Sequence, residues 1–366
     1  MLVITSLGVG GAERLVTGLA DSFSANGHDV MLVRFHGEAE LRPSDSRVQL
    51  ANLEMRRSPL GVLAAMWRLR CLVQAFRPDV VNSHLVHANI LTRLLRLVTP
   101  MPRLVSSAHN TNEEGQGRML AYRLTDRLVD ISTNVSQEAV EAFEVQGALK
   151  AGRMLAIHNG IDTKHFAFDV DAREKVREEL KLSESTPLLL AVGRLWEPKD
   201  YPNLLQAFAH IHTHNSSACL AIVGDGPLRN VLELLSASLG ISEKVIFLGV
   251  RHDIPALLSA CDIYVMSSAW EGLPMVILEA MAAQRCIVAT DCGGIRAVLD
   301  DTGFVVKTED SQALGQALHR ALGLSEEARG QVGVAARKRV VDHYSLQATA
   351  ERYLAVYRGE EIVSKE

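Results

Sequence analysis

Two glutamates eight residues apart, Glu271 and Glu279, are the side chains in this sequence most suited to chemistry. They flank the start of a predicted helix, which follows the apolar run 263–266 and opens after Gly272, with Pro274 in its first turn. The rest of that helix is apolar. A carboxylate such as Glu279 is costly there unless a polar ligand or a buried partner contacts it.

The loop before this helix is suited to binding an anion. Backbone N–H groups at a helix N-terminus are unpaired and favour negative groups such as phosphate. Glu271 and Glu279 would then lie on either side of an anion site. In the alternative, Glu271 only caps the helix and Glu279 only pairs with an arginine.

Two cations follow the predicted strand 188–193. Arg194 and Lys199 come after its carboxyl end, where open α/β sheets bind ligands. Two such cations can neutralise the charge that develops on a leaving diphosphate without a metal, although a solvated surface pair is the alternative. The segment Gly224-Asp225-Gly226-Pro227 similarly ends a strand, and it can be a simple turn.

Two histidines also follow apolar strands. His84 and His109 each come at the end of a predicted strand in the first half of the chain, where an imidazole can reach a substrate hydroxyl. A structural histidine is the commoner case, and of the two we favour His109 as functional.

Other candidates for a metal site are weak. Only His210 and His214 of the H-x-H-x-H run share a helix face, so we predict no metal there. Asp169-Val170-Asp171 matches the D-x-D of many metal-dependent sugar transferases, but its place before a helix indicates capping.

Composition fits a globular protein of two domains. The chain has 366 residues, of which 48% are hydrophobic and 22% charged, with a net charge of −5. Its five cysteines form no C-x-x-C pair, and no apolar run approaches the ~20 residues of a spanning helix. These features predict a cytoplasmic protein, and nothing in them indicates binding of nucleic acid or of a cofactor.

Residues 51–103 hold an excess of arginine. This segment contains eight arginines and only two acidic residues, Glu54 and Asp79. Several of the arginines lie near Trp67 and leucines on two predicted helices. Arginine beside Trp and Leu is typical of a helix at a membrane interface, which would let the first domain dock peripherally at the inner face of a membrane. In the alternative, the two helices cover the sheet and their arginines are solvated.

Strands and helices alternate along the whole chain, which predicts parallel sheets covered on both faces. The first helix follows a glycine loop at 8–11, but Glu13 replaces the third glycine of a dinucleotide fingerprint and the second strand ends at Arg34. We predict two facing Rossmann-like doubly wound domains. They span residues 1–165 and 166–344, and a last helix at 345–366 crosses back to the first.

These residues together resemble glycosyltransferase family four, the retaining enzymes of the B-type glycosyltransferase (GT-B) fold. The resemblance covers nearly the whole chain, and its most specific part is the E-x7-E pair. Its carriers are Gly10-Gly11-Ala12-Glu13-Arg14, His84, His109, Val135-Ser136, Asn159-Gly160-Ile161-Asp162, Gly193-Arg194 with Lys199, Gly224-Asp225-Gly226-Pro227, and Glu271 with Glu279.

The resemblance implies a role for each matched residue. The amides of Gly10 and Gly11, with Arg194 and Lys199, would hold the donor diphosphate, and Glu279 would bind the ribose. The nucleobase would rest near Val250, and His109 would face the donor sugar. That sugar would be held by Glu271 and by the backbone of Gly272, Leu273, Pro274, Met275 and Val276.

A hexosyl-type sugar would thus pass from a nucleotide-sugar, expected to be a UDP-sugar, to a glycan or lipid-linked acceptor in cell-surface polysaccharide or glycolipid synthesis. The family expectation is front-face attack with retention and no metal, and double displacement through a carboxylate stays open. The rival functions are a nucleotide-sugar epimerase on the same fold, an NAD(P)-dependent oxidoreductase and a sugar-binding module without turnover.

Overall fold

The structure is a computed structural model that describes residues 1–8, 10–110, 116–212, 217–271 and 274–360. The chain divides into two compact units. Unit 1 contains Met1–Gly160 and a C-terminal helix, Leu346–Arg358, and unit 2 contains Ile161–Ser345. The boundary expected from the sequence lay at residue 165.

Unit 1 is built on a seven-stranded sheet in which all pairs are parallel. Its strands are β1 Leu2–Ile4, β2 Met31–Arg34, β3 Gln49–Asn52, β4 Val80–His84, β5 Arg103–Ser107, β6 Ile131–Asn134 and β7 Met154–Ala156. They lie in the order β3-β2-β1-β4-β5-β6-β7. The order reverses between β1 and β4, so the carboxyl ends of these strands form the topological switch point where such sheets bind ligands.

Five helices of unit 1 connect these strands. They are α1 Gly11–Ala25, α2 Pro59–Phe76, α3 Val86–Leu95, α4 Gln116–Thr125 and α5 Gln137–Val145. The strands are rich in buried Leu, Val and Ile, and apolar side chains of the helices pack on both faces of the sheet. A parallel sheet covered on both faces is the arrangement that the alternating sequence predicted.

Unit 2 repeats this plan with six parallel strands. The strands are β8 Leu188–Val192, β9 Cys219–Val223, β10 Val245–Gly249, β11 Ile263–Met266, β12 Cys286–Thr290 and β13 Phe304–Val306, in the order β10-β9-β8-β11-β12-β13. The helices are α6 Val170–Glu179, α7 Tyr201–His212, α8 Arg229–Ser238, α9 Ile254–Ala260, α10 Met275–Ala282, α11 Ile295–Leu299, α12 Ser311–Gly323 and α13 Glu326–Tyr344. The switch point lies between β8 and β11.

The last helix, α14 Leu346–Arg358, completes unit 1. It packs against α1, and its buried Tyr353 joins the unit 1 core. The hydroxyl of Tyr357 accepts a hydrogen bond of 2.7 Å from Asn82 Nδ2 on β4. In the part of the chain that the structure describes, no helix is long and apolar enough to span a bilayer.

Two arginines of the segment 51–103 do not lie where the sequence placed them. Arg93 on α3 is fully buried, and its guanidinium donates to Ser106 Oγ at 3.0 Å and to Ser132 Oγ at 2.9 Å. Arg96 forms an ion pair of 2.8 Å with Asp130. Because Arg93 is buried, it is neither solvated nor available to a membrane. Its hydrogen bonds to hydroxyl groups of the sheet compensate the cost of burying its charge.

Candidate functional site

The switch point of unit 2 brings together the two loops that the sequence singled out. The loop after β8 and the loop after β11 are joined by hydrogen bonds from Ala269 N to Pro198 O at 2.9 Å and from Ser267 Oγ to Lys199 O at 2.8 Å. Thr290 Oγ1, at the end of β12, donates to Ser268 O at 2.6 Å. Hydrogen bonds thus hold together the loops after β8 and β11 and the end of β12, at the carboxyl edge of the unit 2 sheet.

Lys199 and Glu271 meet at this edge as an ion pair between Nζ and Oε1. Their side chains are only 18% and 17% exposed, and Glu271 Oε1 also accepts a hydrogen bond of 2.9 Å from Ser268 Oγ. Burial, and then the nearby charge of Glu271, raise the pKa of the Cys292 thiol to about 11. The charge of Glu271 therefore acts in a partly dehydrated environment, where electrostatic effects are strong.

Glycines let the backbone pack closely behind Lys199. A Cβ at Gly193 would lie 3.0 Å from Lys199 Cε. Gly224 has φ +130°, and a Cβ there would lie 2.0 Å from Gly193 O. The Gly224-to-Pro227 segment, which the sequence left open as a simple turn, thus packs against the start of the loop that carries Lys199.

Arg194 lies apart from this ion pair. Its side chain is exposed, and its guanidinium carbon is 5.3 Å from the centre of the Trp196 ring, in cation–π contact. Among the described residues, no hydrogen bond or ion pair joins Arg194 to Lys199 or Glu271. Of the two cations predicted to bind the diphosphate, only Lys199 is held in place by Glu271.

The helix that carries Glu279 differs from the prediction in two details. Helix α10 begins at Met275, so Pro274 is its N-cap and not a first-turn residue. Glu279 is half-buried rather than buried, as are Met275 and Val276. Gly272 and Leu273, the predicted sugar-binding backbone, lie outside the described residues.

The region predicted for the nucleobase follows β10. Val250 is 66% exposed, and Gly249 before it has φ +67° and accepts a hydrogen bond of 2.8 Å from Gly224 N. The neighbouring Arg251 forms ion pairs with Glu179 and Asp253, which raise its pKa. Arg251 is therefore engaged within the protein, and Val250 offers backbone groups and an apolar surface.

The predicted residues of unit 1 lie at its own switch point. Gly10 is the N-cap of α1, with an extended backbone, and a Cβ there would lie 2.3 Å from Glu13 Oε2. At Gly11, the first residue of the helix, an added Cβ would meet nothing within 4 Å. The start of α1 is thus open to an anion at Gly11, whereas the carboxylate of Glu13 lies against Gly10.

His84 and His109, from adjacent strands, contact each other. His84 Nδ1 lies 3.1 Å from His109 Nε2, and the ring centres are 5.3 Å apart. Burial lowers the pKa of His109 to about 4, and burial and then His109 lower that of His84. The other nitrogens, His84 Nε2 and His109 Nδ1, are buried and have no hydrogen-bond partner in the part of the chain that the structure describes.

Both histidines are predicted from their places at strand ends, but their contact is not. Ser268, whose hydroxyl orients Glu271, was not predicted as a site residue. The signal for Ser268 was available, because it lies between the end of β11 and Glu271, where a hydroxyl can bond a carboxylate three residues ahead.

The D-x-D motif has the structural role that the sequence favoured. Asp169 is the N-cap of α6, and its Oδ1 accepts hydrogen bonds from Asp171 N at 2.9 Å and Ala172 N at 3.0 Å. Within the described ranges, no three His, Cys, Asp or Glu side chains form a group that could hold a metal ion. His214 of the H-x-H-x-H run is outside those ranges.

Solved structures share this fold over almost the whole chain. HepE from Anabaena, crystallised in complex with UDP, aligns with a TM-score of 0.83 at 21% identity, covering 98% of this chain and 99% of that one. A glycosyltransferase from Rickettsia africae aligns with a TM-score of 0.81 at 20% identity, covering 98% and 97%. The two α/β units therefore have the fold of this class of structures, the GT-B fold.

Two family models and curated relatives specify the family. Residues 9–165 match the model described as Glycosyltransferase Family 4, and residues 172–339 match the one described as Glycosyl transferases group 1. The GDP-mannose-dependent alpha-(1-6)-phosphatidylinositol monomannoside mannosyltransferase of Mycolicibacterium smegmatis is 30% identical over 275 residues, 70% of each chain. The UDP-Gal:alpha-D-GlcNAc-diphosphoundecaprenol alpha-1,3-galactosyltransferase of Escherichia coli is 26% identical over 265 residues, 68% of this chain and 67% of its own. The chain belongs to glycosyltransferase family 4.

Proposed function

We propose that this glycosyltransferase transfers a hexosyl-type sugar from a UDP-sugar to a glycan or lipid-linked acceptor, with retention of the anomeric configuration and without a metal. The observation that carries the proposal is the ion pair of Lys199 with Glu271 at the switch point of unit 2. It holds a cation and a carboxylate side by side on a rigid edge, next to the start of α10.

In this proposal the cation and the carboxylate bind different parts of the donor molecule. Lys199, with Arg194, neutralises the negative charge that develops on the leaving diphosphate. Glu271 binds hydroxyls of the donor sugar, and Glu279 binds the ribose. Reaction at the anomeric carbon forms a bond to the acceptor oxygen on the face from which the phosphate oxygen leaves, and the acceptor proton passes to that phosphate.

The names of relatives support UDP as the nucleotide of the proposed donor, and binding experiments can test it directly. HepE is described as a complex with UDP and with UDP-glucose, and the Escherichia coli relative is named for UDP-Gal. The Mycolicibacterium relative is named for GDP-mannose. Thermal unfolding should therefore be measured with UDP, GDP and NADP in parallel.

A nucleotide at ~100 times its dissociation constant stabilises the protein that binds it by about 2.7 kcal/mol. We expect this shift for UDP. A shift with GDP alone would change the donor to a GDP-sugar, and a shift with NADP alone would favour the oxidoreductase. Conversion of a UDP-sugar into its epimer without acceptor would favour the epimerase, and binding without any turnover would favour the sugar-binding module.

Release of UDP from a panel of UDP-sugars, with the product analysed by NMR, tests the chemistry itself. The anomeric configuration of the donor should be kept, and activity should survive EDTA. Inversion, or loss of activity in EDTA that Mg²⁺ or Mn²⁺ restores, would contradict the proposal.

The proposed lipid-linked acceptor is supported by the outer face of α2. Leu60, Leu63 and Trp67 are 79%, 62% and 67% exposed on this helix, and Arg70 is exposed beside them. Exposed apolar side chains with nearby cations suit a membrane interface, where each basic residue contributes about 1 kcal/mol near anionic lipid. We propose that unit 1 docks on the membrane through this face of α2.

Flotation with anionic liposomes tests the docking. Binding of the unaltered protein should fall as salt rises. It should also fall when Leu63 and Trp67 are changed to Ser. The matched control changes Leu120 and Leu124, exposed leucines on α4, to Ser and should leave flotation unchanged. No flotation at low salt would favour solvated arginines and a soluble acceptor.

A further inference from the structure

Unit 1 contains a cavity that the proposed reaction does not use. It has a volume of about 600 Å³ and is lined by Arg123, Asp126, Arg127, Gly147, Leu149, Lys150 and Arg153. Four of these seven residues are basic and one is acidic. A cavity of this size can hold a small organic ligand.

The only acid of the cavity wall is already neutralised. Arg153 Nε lies 3.2 Å from Asp126 Oδ2, and Arg153 Nη2 donates to the carbonyl oxygens of Asp126 at 2.7 Å and Val129 at 2.9 Å. The side chains of Arg123, Arg127 and Lys150 are exposed. In the described ranges they have no acidic partner, so three positively charged side chains line the cavity without an ion pair.

The cavity lies at the opposite edge of the sheet from the two histidines. Asp126 and Arg127 lie in the short connection before β6, and Lys150 and Arg153 lie in the connection before β7, so they are at the amino ends of these parallel strands. His84 and His109 lie at the carboxyl ends of β4 and β5. Strands of four to five residues at about 3.3 Å each separate the two edges by roughly 15 Å.

We propose that this cavity binds a phosphate-bearing anion, either a phosphomonoester or a diphosphate. Two guanidinium groups and an ammonium group can surround a compact dianion, and arginine bonds phosphate oxygens in bidentate fashion. Both a soluble phosphorylated compound and a lipid headgroup carry this chemistry. The site is separate from the donor site of unit 2, and it does not rest on the identity of the donor.

Lys150 gives a local readout of binding, because no other lysine occurs in residues 1–160. The rate of its acetylation by an N-hydroxysuccinimide ester is followed by peptide mass spectrometry, with pyrophosphate added at constant ionic strength. A ligand about ten times above its dissociation constant should slow this acetylation about tenfold. Exposed Lys175 on α6 should react at an unchanged rate, and pyrophosphate bound in unit 2 would not affect Lys150.

The control variants carry equal charge changes. Arg123→Ser with Arg127→Ser should abolish the protection of Lys150, whereas Arg56→Ser with Arg57→Ser, two exposed arginines outside the cavity, should leave it intact. If the first variant keeps the protection, or sodium chloride at the same ionic strength protects equally, the proposal is overturned.

Vesicles distinguish the two sources of phosphate. Protection by pyrophosphate but not by vesicles indicates a soluble ligand. Protection by phosphatidic acid in phosphatidylcholine, but not by phosphatidylcholine alone, indicates a headgroup. Each result supports the proposal, and absence of protection with both probes refutes it.

Discussion

At the scale of single residues, the ion pair between Lys199 and Glu271 alters what substitution of either should do. Each side chain is held by the other, so removing one leaves the other's charge in a partly buried place. The sequence supplied both residues but not their contact, since they are 72 positions apart. Only the adjacency of β8 and β11 in the sheet brings the two loops together.

We predict that Glu271→Gln lowers turnover by ~10²–10³ and leaves UDP affinity nearly unchanged, because its proposed contacts are to the sugar. Lys199→Ala should weaken UDP itself. The double variant should lose less than the sum of the two, because the residues interact directly. Calorimetry with UDP and steady-state kinetics measure these effects, with Glu197→Gln, an exposed neighbour, as control. Loss of UDP binding in Glu271→Gln would contradict the assignment.

The buried histidine pair predicts a loss of stability in acid. The pKa of His109 is about 4 in the folded protein, lowered by burial, against about 6.5 in the unfolded chain. The unfolded chain therefore binds more protons between these values, and stability is full above pH 6.5 and is lost as pH falls through about 4. The loss from His109 is on the order of 3 kcal/mol.

Urea unfolding between pH 7.5 and pH 4 measures this dependence. His109→Asn should flatten it, whereas His252→Asn, at an exposed loop position, should not. An unchanged pH profile in His109→Asn would show that the acid sensitivity arises elsewhere.

At the scale of elements, the strands that consist of short apolar runs were located well from the sequence. The predicted strand 188–193 matches β8 to within one residue, and the apolar run 263–266 coincides with β11. Strand β3 was missed because Gln49–Asn52 is a polar edge strand, with three of its four residues exposed and no apolar run. The burial of Arg93 was also missed, because a count of charges does not tell which face of α3 each one occupies.

The capping role of Asp169 leads to a prediction for α6. Asp169→Ala removes the acceptor of two backbone N–H groups and should destabilise unit 2 by about 1 kcal/mol. Transferase activity at low temperature should be unchanged, which separates a cap from a metal ligand. Glu174→Ala, exposed in the middle of the same helix, should have a smaller effect on unfolding.

At the scale of the whole molecule, each unit has its own core, and the alternating pattern of the sequence predicted this arrangement of two parallel sheets. The helical spacing of Leu346, Ala350, Tyr353, Leu354 and Tyr357 predicted the apolar face of α14, and these side chains do pack in the unit 1 core. Tyr353 is 2% exposed there, and its ring centre lies 6.2 Å from that of His84. The last helix thus supports the strand that carries a candidate site residue.

We predict that Tyr353→Ala destabilises unit 1 by about 3–5 kcal/mol, as other large-to-small changes of buried aromatic residues do. Hydrogen exchange should show faster exchange at the amides of β1, β4 and β5, with little change in unit 2. Tyr344→Ala in α13, whose ring belongs to a unit 2 core, should give the reverse pattern. A uniform increase across both units would contradict the independence of the cores.

The return of α14 to unit 1 also sets an order of events during synthesis. The seven strands of unit 1 leave the ribosome first, but Tyr353 and Tyr357 follow only after the whole of Ile161–Ser345 has been translated. At about 5–20 residues per second, this delay lasts roughly ten to forty seconds. Unit 2 is continuous in sequence and can fold within that time. During the same time, unit 1 exposes the surface of α1 against which α14 later packs. We therefore expect the apolar surface of unit 1 to stay exposed longer during synthesis than that of unit 2.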